Sequence, residues 1–322
     1  MTDDYIENLK IICQSRNKKK VSFHDYYSIG RCIKEYARFP KNMHLPAYTD
    51  HSPAIQVTLG RHDNQNKYRL SLLQNTLRIN AFTEQGKRVY CTGAPFVHYR
   101  KKRKKEIKEN ASGTVFFPYH STAFTEVEND IEQLVQQIDK LPKEFKPVTI
   151  CLHHCDVEND KYINYLEKGF NVVSAGNKFD IKFVDRFYEI LSNHKYSMSN
   201  GFGSHLLYSI EFGLPFSYIK NDFNIKRTGN PNLKTKNNTN SKTKNDYEGL
   251  EHYELSKKLF SKLSYKIDEK QKAFAEDILG IHDAISPIKL NKILWREYFI
   301  YQWYTLKHTI RTLLKPRKKH AS

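Results

Sequence analysis

Tyr196-Ser-Met-Ser-Asn-Gly-Phe-Gly-Ser-His-Leu-Leu-Tyr-Ser-Ile-Glu-Phe-Gly-Leu-Pro-Phe-Ser-Tyr-Ile219 reads as a short strand, a loop with two glycines, a helix over 204–212 and a second strand. Gly213 and Pro215 end the helix, because glycine accepts the left-handed backbone there and proline cannot continue the turn. Working outward toward the amino terminus, the same alternation repeats. Strands are expected at 114–118, 148–153 and 171–174, with helices at 126–141, 160–168 and 182–192 between them. Apolar runs of strand length joined through amphipathic helices by short loops define a parallel sheet with crossover helices, so residues 114–219 are expected to be a doubly wound α/β unit.

The first hundred residues are less regular. Ser22 is placed to cap a helix over 22–38, a short strand is expected at 43–48, residues 61–68 are loop-like, 71–81 reads as a helix and 88–92 as a strand. The run Arg100-Lys-Lys-Arg-Lys-Lys105 is expected to be an exposed helix or linker. Residues 226–246 carry almost no apolar side chain and are expected to be a disordered polar loop. Helices follow at 247–263, 269–279 and 290–314, the last rich in aromatics.

Composition narrows the class. The 322 residues, 39% of them hydrophobic, are enough for two cores. The chain lacks a long apolar span and an amino-terminal signal pattern, so a cytoplasmic protein is expected. Five scattered cysteines are expected to be free thiols. A formal charge of +18 calls for an anionic partner: nucleic acid, an anionic membrane surface or a phosphorylated substrate.

Chemistry is concentrated where strands end. In Ser199-Asn200-Gly201-Phe202-Gly203-Ser204-His205 the glycines let backbone amides meet phosphate oxygens at a helix start, whose dipole favours negative charge. Phe116-Phe-Pro-Tyr-His-Ser-Thr122 follows the first strand of the regular half. There His120 is a hydrogen-bond donor or acid near neutral pH, and Ser121 and Thr122 offer hydroxyls. His51, in Asp50-His-Ser-Pro53, is the candidate base in the first half. Cys151-Leu-His-His-Cys155 holds metal-ligand types, but on a strand alternate side chains face opposite ways, so a common metal is not expected.

Asn200-Gly-Phe-Gly203 followed by Leu206-Leu-Tyr-Ser-Ile-Glu-Phe-Gly-Leu-Pro215 resembles the donor-binding region of GT-B-fold glycosyltransferases, notably bacterial enzymes of capsule, O-antigen and lipopolysaccharide synthesis. The resemblance spans about residues 90–220 and implies two Rossmann-like domains. Residues 1–108 would be the acceptor-side domain and 109–225 the nucleotide-binding domain, with the polar loop at 226–246 and carboxyl-terminal helices with a basic tail at 247–322. It also implies transfer of a sugar from a nucleotide-sugar to a polysaccharide or lipid-linked glycan without a metal cofactor. His51 and His120 would be catalytic; Ser121, Thr122, Ser199, Asn200, Gly201, Gly203, Ser204, His205, Tyr208 and Glu211 would bind the donor. Many members carry two carboxylates eight positions apart, and those places fall here on Asn200 and Tyr208, with Glu211 one turn further on. A polyol-phosphate transferase, a non-catalytic relative and a nucleic-acid-binding protein are the alternatives. The basic tail would suit peripheral attachment at the inner face of the cytoplasmic membrane.

Overall fold

The computed structural model describes residues 3–15, 23–227, 247 and 249–313. The lysines at 18–20, most of the expected polar loop and the tail beyond Leu313 lie outside these residues. Among the described residues ten strands run in chain order: β1 Tyr48–Thr49, β2 Leu70–Leu73, β3 Arg88–Cys91, β4 Thr114–Phe117 and β5 Thr125–Asn129; then β6 Val148–Cys151, β7 Asn171–Val173, β8 Tyr196–Ser199, β9 Phe216–Tyr218 and β10 Phe223–Arg227. They form a parallel three-stranded sheet β1-β2-β3, a parallel five-stranded sheet β7-β6-β4-β8-β9 and an antiparallel ribbon of β5 with β10. The fold is α/β.

Strand β4 shows why the larger sheet is covered on both sides. Side chains alternate across a strand, and Val115 and Phe117 enter one apolar core while Phe116 enters another. Helices Phe183–Ser192 and Ser204–Phe212 cover the first face through Val184, Phe187, Leu206 and Ile210. Helices Ile131–Asp139 and Tyr162–Glu167 cover the other through Leu134, Ile138, Tyr162 and Tyr165. In order of appearance the strands run 3-2-1-4-5, which leaves a switch point at the carboxyl ends of β4 and β8.

The first core continues across residue 108, from Ile29 to Leu294. Each half also receives a segment from the far end of the chain. Helix Asp3–Gln14 lies on the larger sheet, where the Tyr5 hydroxyl donates to the Val172 carbonyl at 2.6 Å and Asn177 donates to the Cys13 carbonyl at 2.7 Å. Helix Glu269–Ile278 and the start of helix Pro287–Leu313 return to the smaller sheet, with Ala94 bonding to Leu279 at 2.8 Å and Arg88 pairing with Glu297.

Several expected elements are corrected. Residues 70–73 are a strand, not part of a helix over 71–81; Leu-Ser-Leu-Leu is buried on both faces between β1 and β3, and a short apolar run alone does not distinguish a buried strand from a helix. The helix of that region is Ile79–Glu84. The expected helix over 126–141 begins only at Ile131, where the Asp130 side chain accepts the Gln133 amide at 2.9 Å, because the preceding residues pair with β10. The early helix runs Ile29–Tyr36 and starts late because Tyr27 and Ser28 hold left-handed backbones. The strand expected at 43–48 is confined to β1, and residues 61–64 form a helical turn. Of the basic run at 100–105, expected as an exposed helix or linker, residues 100–102 end helix Pro95–Lys102, and the run is anchored rather than free: Arg100 pairs with Glu211, and Arg103 pairs with Glu35 at 2.7 Å while lying 3.7 Å from the Tyr99 ring centroid. All five cysteines are free thiols.

Gly113 admits β4 to its place. Its φ is +63°, and a Cβ there would sit 2.1 Å from the Pro147 carbonyl oxygen. Gly113→Ala is expected to destabilise the chain by about 3 kcal/mol, combining backbone strain with displacement of the β4–β6 edge. Urea unfolding curves check this; a midpoint within error of the native chain would refute it.

Candidate functional site

The loops after β4, β6, β7 and β8 meet at the switch point, where the carboxyl ends of parallel strands leave room for a ligand. Asn200 ties three of the surrounding segments together. Its side-chain oxygen accepts the Tyr119 amide at 2.7 Å, and its side-chain nitrogen donates to Asn129 at 2.7 Å and to Asn221 at 2.9 Å. The side chain thus fixes the loops after β4, β8 and β9. Gly201 lets Tyr119 close over the loop, since a Cβ there would lie 2.4 Å from the tyrosine ring. Ser199 is fully buried and turns the chain by donating to the Gly201 carbonyl at 2.8 Å while accepting the Gly201 amide at 3.1 Å.

Helix Ser204–Phe212 then begins at Gly203 in extended backbone, and no side chain among the described residues caps it. The Leu206 amide donates to the Gly203 carbonyl at 3.1 Å, so the amides an anion could meet are those of Ser204 and His205. A Cβ on Gly203 would meet the His205 ring at 2.5 Å. His205 stacks on Phe117 with centroids 4.8 Å apart, and its Nε2 is buried without a hydrogen-bond partner among the described residues. Burial, and then the charge of His120, push its pKa down to about 3.

A row of rings lines the β4 and β6 loops. Phe223 stacks on Tyr119 at 4.5 Å, exposed His120 stacks on His153 at 4.2 Å, and His153 is 4.3 Å from His154. Burial and then neighbouring His120, His154 and Lys178 hold His153 well below the ordinary histidine range. Lys178 lies 5.0 Å from the Tyr26 ring, which stacks on Phe179; His51, exposed, approaches the same tyrosine at 6.1 Å. His51 and His120 thus belong to one rim, linked through Tyr26, Lys178 and His153. A cavity of about 610 Å³, lined by Asn200 and residues 219–225, opens beside it at the end of β9.

The remaining expected donor residues have local partners. Ser121 is buried: its amide donates to the Asp156 carboxylate at 3.2 Å, and its hydroxyl oxygen accepts from Val127 and from Lys161 at 3.0 Å. Thr122 closes a turn with Thr125 at 2.7 Å. Tyr208 is buried against Phe96 and donates to Gln74 at 3.3 Å, which joins the helix to the end of β2. The Glu211 side chain is buried in a two-pronged pair with Arg100. Asp50 is likewise enclosed, with Arg78 bridging it to Asp63; burial pushes its carboxyl up to about 6 against the pull of Arg78.

Of the metal-ligand types at 151–155, three come together just beyond β6. Strand β6 ends at Cys151, so His153, His154 and Cys155 stand at the start of helix His154–Glu158, and their donor atoms all lie within 4.8 Å of one another. Soft and borderline donors of this kind suit a transition metal such as zinc.

Sequence reasoning passed over His153, Lys178, Tyr119 and Asn221 as site residues. All follow a strand of the parallel sheet within a few positions, and that signal could have found them. No protein-family profile matches the chain, and no characterised protein is similar to it in sequence.

Folding keeps His153 and His205 neutral, so below pH 6.5 the unfolded chain binds more protons than the folded one. Stability is therefore lost as pH falls below about 6.5, a loss that continues to about 3 for His205, by up to about 1.4 kcal/mol per pH unit for each histidine. His205→Phe, which keeps an aromatic ring on Phe117, is expected to flatten this dependence. Urea midpoints between pH 5 and 7.5 test it, and an unaltered slope in the variant would remove His205 from the account.

Proposed function

We propose that the chain is a glycosyltransferase of the two-domain GT-B kind, moving a sugar from a nucleotide-sugar to a surface polysaccharide or lipid-linked glycan at the cytoplasmic face of the membrane. The observation that carries this reading is the uncapped helix start behind Gly201 and Gly203, set at the switch point of a parallel sheet. In this reading the donor diphosphate rests on the first amides of helix Ser204–Phe212. Lys178 adds positive charge, His120 adds a hydrogen-bonding ring, and the nucleoside enters the cavity beside Asn200.

As the bond from the sugar to the diphosphate breaks, negative charge grows on the leaving oxygen. Amides and side chains already pointed at that place stabilise it without reorganising. His120, exposed at the rim, hydrogen-bonds or protonates the leaving phosphate. His51, across Tyr26, takes the proton of the attacking acceptor hydroxyl. The charge is supplied by protein groups, so no metal cofactor enters the scheme. With Glu211 held by Arg100, ribose recognition falls to the amides and carbonyls of the cavity. A polyol-phosphate donor would use the same anion site and is the second reading.

Nucleoside diphosphates are expected to raise the unfolding temperature, with about 2.7 kcal/mol of stabilisation at a hundredfold excess over Kd. A thermal-shift series over UDP, GDP, CDP and CMP measures this. Gly203→Arg should abolish the shift; His120→Ala should keep binding but slow transfer about 100-fold or more. Protection by nucleic acid and by none of the nucleotides would sink the reading.

A further inference from the structure

Helix Pro287–Leu313 changes character along its length. Its first turns belong to the body: Leu290, Ile293 and Leu294 are buried, and Trp295 meets Phe39 edge-on at 5.1 Å. Beyond Tyr298 the burial stops while the apolar side chains continue. Phe299, Trp303, Tyr304 and Leu306 are 64%, 60%, 63% and 53% exposed. Positions 299, 303 and 306 share one helical face, and the sequence keeps the spacing with Ile310 and Leu313. Lys307 stands beside this stripe, 5.9 Å from the Trp303 ring. From Tyr298 to Ser322 the sequence contains no Asp or Glu but six basic residues: Lys307, Arg311, Lys315, Arg317, Lys318 and Lys319.

We propose that this helix end is a docking surface for an anionic lipid bilayer. A large exposed apolar stripe needs an apolar cover. Two chemical features choose the cover. Tryptophan and tyrosine beside an apolar stripe match the water-to-hydrocarbon boundary of a bilayer, where the ring is buried and its polar edge stays wet. The acid-free basic sequence is complementary to an anionic leaflet, whereas pairing two copies of the helix would bring two such sequences together and repel. Among the described residues no helix is long and apolar enough to cross a membrane, so the contact is with the surface. The stripe shares no residue with the switch-point site, and its docking stands or falls independently of nucleotide binding.

Sedimentation of the full chain with phosphatidylcholine vesicles, with and without phosphatidylserine, tests this. Binding about tenfold stronger to the phosphatidylserine vesicles and weakened by salt is expected. Phe299→Ala with Trp303→Ala and Leu306→Ala should abolish binding, and Lys307→Glu with Arg311→Glu should remove the preference for phosphatidylserine. Both variants should keep the native unfolding temperature and nucleotide response, because Phe299, Trp303, Leu306 and Lys307 are exposed. Equal binding to both vesicle types, no binding, retained binding by the triple variant, or a dimer that the triple variant dissolves would each overturn the proposal.

Discussion

Strand β4 is enclosed in every direction: hydrogen-bonded to β6 on one edge and β8 on the other, with Phe116 in one core and Val115 and Phe117 in another. A strand in that position has no solvent-facing side, so helices must come to both faces and the connections must cross from one end of the sheet to the other. Only the carboxyl end stays open. The crossovers part there, because the chain goes to one side of β4 for its second and third strands and to the other for its fourth and fifth, while the β4 and β8 loops themselves are joined by Asn200 and Tyr119. The meeting of Tyr119 with Asn200 is thus a consequence of strand order.

Electrostatics at that opening follow from unequal burial. His153 and His205 are held neutral by enclosure, while His120 stands in solvent and Lys178 lies across Tyr26 and Phe179. The neutral rings give the rim aromatic walls without adding fixed charge, so an anion would be met mainly by backbone amides, the Lys178 ammonium and the exposed His120 ring. The Asn200 side chain, already bonded to three segments, keeps the loops in register before anything binds, which lowers the ordering cost of binding.

Much of the second half was legible because its information is local. The helix over 204–212 was readable to the residue, since a glycine loop opens it and Gly213, with φ of +104°, closes it. Leu70–Leu73 was misread because a four-residue apolar run fits either a buried strand or a helix turn. The ribbon of β5 and β10 escaped notice because its partners lie far apart in sequence and each is largely polar. The site shows the same division. His120 and the glycine loop were visible from their positions after strands. The commitment of Glu211 to Arg100, and of Ser121 to Asp156 and Lys161, depends on side chains from distant segments that no spacing reveals.

The exchange of terminal helices has a bearing on how the molecule is made. During synthesis the smaller sheet leaves the ribosome early, but Asn75, Ala94 and Arg88 find their partners only when Ile278, Leu279 and Glu297 emerge. Helix Asp3–Gln14 likewise waits for Val172 and Asn177. The nascent chain therefore carries unsatisfied apolar surface until residues 278–297 emerge, when both halves can close together. A chain cut short before residue 298 would lose the cover of its first half as well as its last helix, so truncated products should be cleared rather than accumulate as working fragments.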